Sequence, residues 1–395
     1  KFKLFVMLLC HMRSSFSMSL LYHAYVYLEF LILACTIYIL APLRVNRFWV
    51  DDNEDEIALL EREINHNIQK RQKELELTIA LTNYCNFSCV YCYQNKNEKL
   101  MTTEVANMII EKIDRILNDN IFEGINIHYF GGEPLLNIPV LIYLDENIKK
   151  ITDKIGIVYK AFLTTNGSML SKELLQKVKF SSIQLTFDGL EKTHDRLRVS
   201  DHFHFKEEIE LIENIMNFSQ AKVLLRTNIC KENKDEIIAL HKYIFEKFGN
   251  ERIEINPNRT IKYHQDDSFE MLSVQEYAEV AYQIKLLWSE QKGKFELPVP
   301  RSTPCKFPYG NAYAISPEGY CTFCSGSMDQ EKKYFFDVDI ENKKMFSVRK
   351  ECKKCNILPL CLGGCIIQYN LRAGACTYEK YELKNILISY IKHIS

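Results

Sequence analysis

The chain has 395 residues, enough for about two or three domains at roughly 150 residues each. Hydrophobic residues make up 47% of it and charged residues 26%, so a packed globular body is expected, and a net charge of -1 gives no general pull toward nucleic acid. The 14 cysteines are not the staples of a miniprotein, because most of them fall in two dense groups, 85–92 and 305–376, and short spacings of this kind in a large chain point to metal and to a reducing compartment.

The chain starts at Lys1 rather than Met, which reads as a fragment or a processed end. Leu20 to Leu43 is long and apolar enough to cross a bilayer, which takes about 20 residues, yet His23 and Glu29 interrupt it. It reads either as an N-terminal membrane anchor or as buried strands of a small domain, and the basic flanks do not set an orientation. A secretory signal is disfavoured, because exported thiols at these spacings would meet an oxidising compartment. Residues 55–72 suit a charged helix, with Ile57, Leu60, Ile64 and Ile68 near helical spacing. The expected role is a connector packed on the next domain.

From 76 to about 257 the chain alternates. Strands are predicted at 76–82, 125–130, 156–165, 182–187, 222–229 and 252–256, and helices at 103–118, 138–153, 171–179, 205–218 and 233–248. Thr102 or Thr103 is the predicted cap of the first of these helices. Such alternation predicts an α/β fold with a parallel sheet and function at the C-terminal ends of the strands. The notable residues fall there. After the first strand comes Cys85-x3-Cys89-x2-Cys92, three thiols able to grip one soft metal centre while leaving a coordination position open. After the second comes Gly131-Gly132-Glu133-Pro134, whose glycines let backbone approach a ligand closely. Later strand ends carry Thr164-Thr165-Asn166-Gly167, then Thr186-Phe187-Asp188-Gly189 followed by His194, Asp195, Arg196 and Arg198, then Arg226 and Asn228. Each alone is an ordinary turn or a solvated charge. Their register with successive strand ends is not.

These motifs resemble the radical S-adenosylmethionine (SAM) enzymes over roughly residues 76–256. The resemblance implies a partial (β/α)6 barrel and a [4Fe–4S] cluster on Cys85, Cys89 and Cys92, with SAM on the open iron. It implies that Tyr91, the aromatic before the last cysteine, and Gly131, Gly132, Glu133 and Pro134 lie at the SAM site. Thr186 and Arg198 match SAM-contacting positions, Arg196 is the alternative to Arg198 as carboxylate clamp, and Asn166 and Asn228 are assigned to the same pocket.

Residues 257–300 carry no chemical motif and read as a bridge with an amphipathic helix from Ser273 to Trp288. Beyond them stand Cys305, Cys321, Cys324, Cys352, Cys355, Cys361, Cys365 and Cys376. Paired cysteines alone suggest a zinc ribbon. Behind a radical SAM core the spacing resembles the SPASM extension, here 301–395 with its C-terminal helix, which implies two auxiliary [4Fe–4S] clusters. One would take Cys305, Cys324 and Cys365, with Cys321 as a candidate fourth ligand. The other would take Cys352, Cys355, Cys361 and Cys376. Cys10, Cys35 and Cys230 read as buried apolar residues.

The resemblance implies an enzyme that cleaves SAM reductively and oxidises or crosslinks a peptide or protein side chain, fed by a reductant such as flavodoxin or ferredoxin. Residues 1–75 would then be a remnant peptide-recognition domain or a membrane-associated segment of a cytoplasmic protein. A sulfatase-maturase-like, formylglycine-forming enzyme is the alternative, but Ser325 occupies the place after Cys324 where that group carries an Asp base. The alternative from another class is a non-enzymatic, membrane-tethered metal-binding or redox protein.

Overall fold

Alternating burial along short β-branched strands, and apolar residues three and four apart along the helices between them, build the core of this protein. A computed structural model describes residues 55–94, 96–249, 252–262, 268–293, 295, 298–322, 324–327, 333–338, 345–365 and 376–394. The candidate span at 20–43, with Cys10 and Cys35, lies outside the described residues. The chain divides between Leu59 and Leu60, and the unit from Leu60 onward carries the sheet.

Strands β1 (Glu74–Ala80), β2 (Gly124–Phe130), β3 (Val158–Thr164), β4 (Phe180–Thr186), β5 (Lys222–Ile229) and β6 (Ile253–Arg259) lie side by side in sequence order, every neighbouring pair parallel. Crossover helices α1 (Thr103–Asp119), α2 (Ile138–Ile155), α3 (Lys172–Lys177), α4 (Glu191–Leu197), α5 (Phe205–Phe218) and α6 (Ile237–Phe248) connect them. On α1, Ala106, Ile109, Ile113, Ile116 and Leu117 form the buried stripe, and Thr102 caps its start by accepting from the Val105 N–H. Of these, α1, α2, α3, α5 and α6 cover one face of the sheet, where Leu77, Ile79, Ile127, Leu163, Ile183 and Leu225 belong to one apolar cluster with them. The short α4 was not expected from periodicity, because its buried residues include Thr193 and His194.

The other face is concave. The Asn256 amide on β6 donates to Gln184 Oε1 on β4 at 3.2 Å, reaching over β5, which a flat sheet would not allow. The architecture is a partial (β/α)6 barrel. The segment 257–300 contains the helix α7 (Val274–Lys292), started by a reciprocal cap between Ser273 and Glu276.

Beyond it the sheet continues. β7 (Asn311–Ile315) pairs parallel with β1, placing Ala312 beside Glu76, and β8 (Tyr320–Thr322) and β9 (Lys333–Tyr334) add antiparallel. The cysteine-rich extension is thus joined to the core through backbone hydrogen bonds. Glu76 strengthens the joint by accepting from Arg71 at 2.7 Å and Lys306 at 3.0 Å, which together hold its carboxyl below the usual range against the effect of burial. Among the described residues no helix is long and apolar enough to cross a membrane.

Candidate active site

The loop after β1 is held along its length. The Asn83 N–H donates to Lys99 O, Ser88 N–H to Val199 O at 2.8 Å, and Val90 N–H to Leu197 O at 3.0 Å. The two latter bonds fasten the cysteine stretch to the end of α4. Within it, Cys92 N–H closes a turn on Cys89 O at 3.1 Å, and Phe87 N–H donates to Cys85 Sγ at 3.4 Å. Cys85, Cys89 and Cys92 are half-buried thiols, none joined in a disulfide. Burial pushes Cys89 up to about 12, with Arg198 opposing and the thiols of Cys92 and Cys85 adding to the rise. Burial also raises Cys85. The three sulfurs thus act on one another's charge, although among the described residues no three His, Cys, Asp or Glu side chains are gathered at metal-holding distance.

The glycines of 131–134 serve this loop. Gly131 has φ +132°, and a Cβ there would lie 2.2 Å from Thr82 O; a Cβ on Gly132 would lie 2.2 Å from Tyr84 O. The Gly132 and Glu133 N–H groups donate to those same carbonyls at 2.8 and 2.9 Å. The close approach expected from the paired glycines is therefore to the chain's own backbone at the root of the cysteine loop. Glu133 is fully buried and receives the Thr165 hydroxyl at 2.6 Å, the Asn166 N–H at 2.6 Å and the Leu135 N–H at 3.0 Å. Burial raises its carboxyl against these donors. It acts as a strut between β2 and the end of β3. Pro134 starts the short turn that comes next.

Asp188, which sequence reasoning noted at a strand end but did not place in the site, is the hub of the far side. Its carboxylate accepts from the Tyr91 hydroxyl and from the Asn228 N–H at 2.7 Å, and its carbonyl accepts from the Asn233 amide at 2.7 Å. Asn233 also binds Asn228 O at 2.9 Å. Nothing in the local sequence marks Asn233, since its partners come from strand ends. Burial raises Asp188, with Arg198 opposing.

Arg198 is buried at 5% exposure, whereas Arg196, two residues earlier, is exposed. Burial works against the Arg198 charge, but Glu208, Tyr91, Cys89 and Asp188 outweigh it and hold the guanidinium firmly protonated. It lies 5.3 Å from the Phe87 ring, on the cysteine loop. Its Nε is buried with no hydrogen-bond partner. Asn166 reaches the other side of the loop, its amide donating to Asn86 Oδ1 at 2.8 Å and lying 3.9 Å from Cys85 Sγ. Thr186 is buried at the end of β4, and Asn228 Oδ1 accepts from Arg226 Nε at 2.9 Å. The residues assigned from the strand-end register thus lie along the cysteine loop and the strand ends beside it.

The C-terminal cysteines are more scattered. Cys321 is 6% exposed and belongs to the main apolar cluster, facing Ile315 across β7 and β8. Cys305 is exposed; Cys324, Cys352 and Cys355 are half-buried; Cys361 is buried. Cys365 and Cys376, which the resemblance sends to different clusters, line the same cavity. Gly326 N–H donates to Cys324 Sγ at 3.3 Å and Gly363 N–H to Cys361 Sγ at 3.4 Å. With Phe87 and Cys85, that makes three sulfurs receiving the N–H two residues on; burial raises the Cys85 and Cys361 thiols, and this N–H opposes the rise at each.

A parallel-stranded α/β barrel thus carries a three-thiol loop at the end of β1, with the buried Arg198, whose Nε has no hydrogen-bond partner, packed against that loop. Residues 79–244 match the model of the Radical SAM superfamily, so this stretch is a radical SAM domain. The cofactors of that family are a [4Fe–4S] cluster and SAM. An uncharacterized protein of Methanocaldococcus jannaschii is 34% identical over 119 residues, 29% of this chain and 39% of that protein. The radical SAM cyclopropyl synthase TigE of Paramaledivibacter caminithermalis is 24% identical over 372 residues, 82% of this chain and 76% of its own length. Several curated relatives are thus spanned only in part. Among solved structures, anSMEcpe with bound AdoMet and the Cp18Cys peptide superposes with TM-score 0.63 at 19% identity, over 81% of this chain and 98% of that one. Streptococcus suis SuiB bound to the precursor peptide SuiA gives 0.55 at 16% identity, over 88% of each chain. At these identities the likeness is one of fold.

Proposed function

We propose that the chain is a radical SAM enzyme that oxidises or crosslinks a side chain of a peptide or protein. The observation that carries this reading is the buried, unpartnered Nε of Arg198 beside three half-buried thiols on one loop. A fixed cation next to a soft donor set suits a metal cluster whose ligand brings a carboxylate. When bound, the cluster and SAM supply one-electron reductive cleavage to a 5′-deoxyadenosyl radical.

The chain's own part is to hold and orient. Cys85, Cys89 and Cys92 are assigned to the cluster. Arg198 is assigned to the methionine carboxylate, and the loop Gly131–Pro134 to the methionine end of SAM. Glu133 sets that loop against Asn166. Tyr91, held by Asp188, fixes the last turn of the cysteine loop, while Thr186 and Asn228 border the same space. Auxiliary clusters are assigned to Cys305, Cys324 and Cys365, with Cys321 as the candidate fourth ligand, and to Cys352, Cys355, Cys361 and Cys376. The N–H groups directed at the sulfurs of Cys324 and Cys361 support sulfur ligands in both sets, since they would also bond a cluster-bound thiolate. The peptide substrate is supported by the peptide-bound forms of the two structural neighbours.

The test is anaerobic reconstitution, reduction and chromatography for 5′-deoxyadenosine. None formed would overturn the reading. Iron and sulfide analysis separates about twelve iron per chain, for three clusters, from about four, for one cluster plus zinc.

A further inference from the structure

The concave face of the sheet holds polar side chains that the radical chemistry does not use. On β5 Val223, Leu225, Thr227 and Ile229 are buried, while Leu224, Arg226 and Asn228 alternate with them and occupy the concave side. Arg226 stands in register between Thr186 on β4 and Asn256 on β6. Its Nε donates to Asn228 Oδ1, but its terminal nitrogens have no hydrogen-bond partner and no carboxylate pairs with it, among the described residues. A guanidinium normally carries a bidentate acid partner when it is withdrawn from water.

Around Arg226 the face is rich in amides, and the carboxylate that acts on its charge, the buried Asp188, already accepts from the Tyr91 hydroxyl and the Asn228 N–H. His128 binds Thr164 Oγ1 at 2.8 Å, Gln184 also reaches Thr164, and Asn256 reaches Gln184. Burial pulls His128 down to about 4, so it is uncharged near neutral pH. Next to β6 a cavity of about 340 Å³ runs from Asn256, Asn258 and Tyr277 to Cys365 and Cys376. Of the charged groups lining it, Glu379 is offset by Arg301 at 2.7 Å, which leaves Arg259 in excess. The cavity thus adds a cation and neutral amides beyond Asn256, the neighbour of Arg226 on β6.

We infer that Arg226 binds a carboxylate of the substrate peptide, an acidic side chain close to the residue being modified, with Gln184, Asn256 and Asn258 hydrogen-bonding the peptide backbone along the concave face. This rests on the reading of the chain as a peptide-modifying enzyme. Arg198 serves the cofactor end on the cysteine loop, and Arg226 serves the substrate from the middle of the sheet. Asp188 acts on the charge of both guanidiniums.

The test uses the reconstituted, SAM-loaded full chain without reductant. It is equilibrated with nonapeptide pools blocked at both ends and random except for a central Glu, Gln or Lys. Retained peptide is read by mass spectrometry. The wild type is expected to retain the Glu pool about tenfold over the Gln pool, the size of one charge-assisted pair. Arg226→Gln is expected to lose that preference, and Arg226→Glu to turn it toward the Lys pool. Equal retention of Glu and Gln pools by the wild type overturns the inference, whether or not the variants fold. Because no radical is generated, this failure is distinct from failure to form 5′-deoxyadenosine, which overturns the enzymatic reading instead.

Discussion

The hydroxyl of Tyr91, one residue before the last cysteine of the loop, donates to the buried carboxylate of Asp188, 97 positions further along the chain. This bond ties the cysteine loop to the end of β4. Tyr91→Phe keeps the ring packed edge-on against Phe269 but removes the donor. A buried acceptor left unpaired costs about 1–3 kcal/mol. A lower melting temperature is expected, together with a higher KM for SAM. Asp188→Asn should be milder, since its amide can donate to the phenol while its oxygen still accepts from Asn228 N–H. Thermal denaturation and SAM cleavage rates on both variants check this, and identical behaviour of Tyr91→Phe and wild type would contradict it.

Gly132 isolates the effect of close approach. Its φ is not in the left-handed region, yet an added Cβ would meet Tyr84 O at 2.2 Å. Gly132→Ala should displace the root of the cysteine loop and lower cluster occupancy, read as absorbance near 400 nm and iron content. Gly156→Ala is the comparison: its φ is +81° but a Cβ meets nothing within 4 Å, so only a strain of about 1–3 kcal/mol is expected, with cluster content unchanged.

Replacing Cys85, Cys89 and Cys92 together by Ala should abolish SAM cleavage and remove about four of twelve iron per chain, leaving the C-terminal set in place. Retained cleavage would refute the assignment of the loop. Loss of all iron would show that the extension, which is joined to β1 through β7, does not hold its clusters independently of the core.

Two histidines, the half-buried His128 and the buried His241, set an acid limit. Burial holds His128 and His241 down at about 4 from the ordinary 6.5. Below 6.5 the unfolded chain binds protons that the folded chain refuses, so stability falls as pH drops from about 6.5 to about 4. Each group contributes up to about 3 kcal/mol of that loss. His241 Nδ1 accepts from Trp288 Nε1 at 3.0 Å, so its proton sits on Nε2, facing Thr227, and protonating Nδ1 would break the bond to Trp288. Urea midpoints between pH 7 and 5 should decline, and His241→Gln should flatten the decline. A midpoint independent of pH over this range would exclude the effect.

The alternation of strands and helices was legible because each element's burial pattern is local: β1 to β6 and the long helices fall within a few residues of the predicted spans. The three-thiol loop and Gly131–Pro134 were legible because their residue types are chemically rare at such spacing. The purpose of the glycines was not. A sequence shows that backbone comes close to something, but here the partner is Thr82–Tyr84, some fifty residues earlier in the sequence. The same holds for Glu133, whose three donors come from its own turn and from the end of β3.

By itself the sequence determined which chemical groups this protein has and which local elements carry them, since periodicity, capping and motif spacing are properties of neighbouring residues. Only the tertiary structure decided that Arg198 is buried while Arg196 is exposed, that Asp188 and Asn233 join strand ends, and that the cysteine-rich extension enters the core sheet beside β1. Those outcomes depend on which distant residues share a buried volume, where an unpaired polar group must find a partner, and no local pattern encodes that choice.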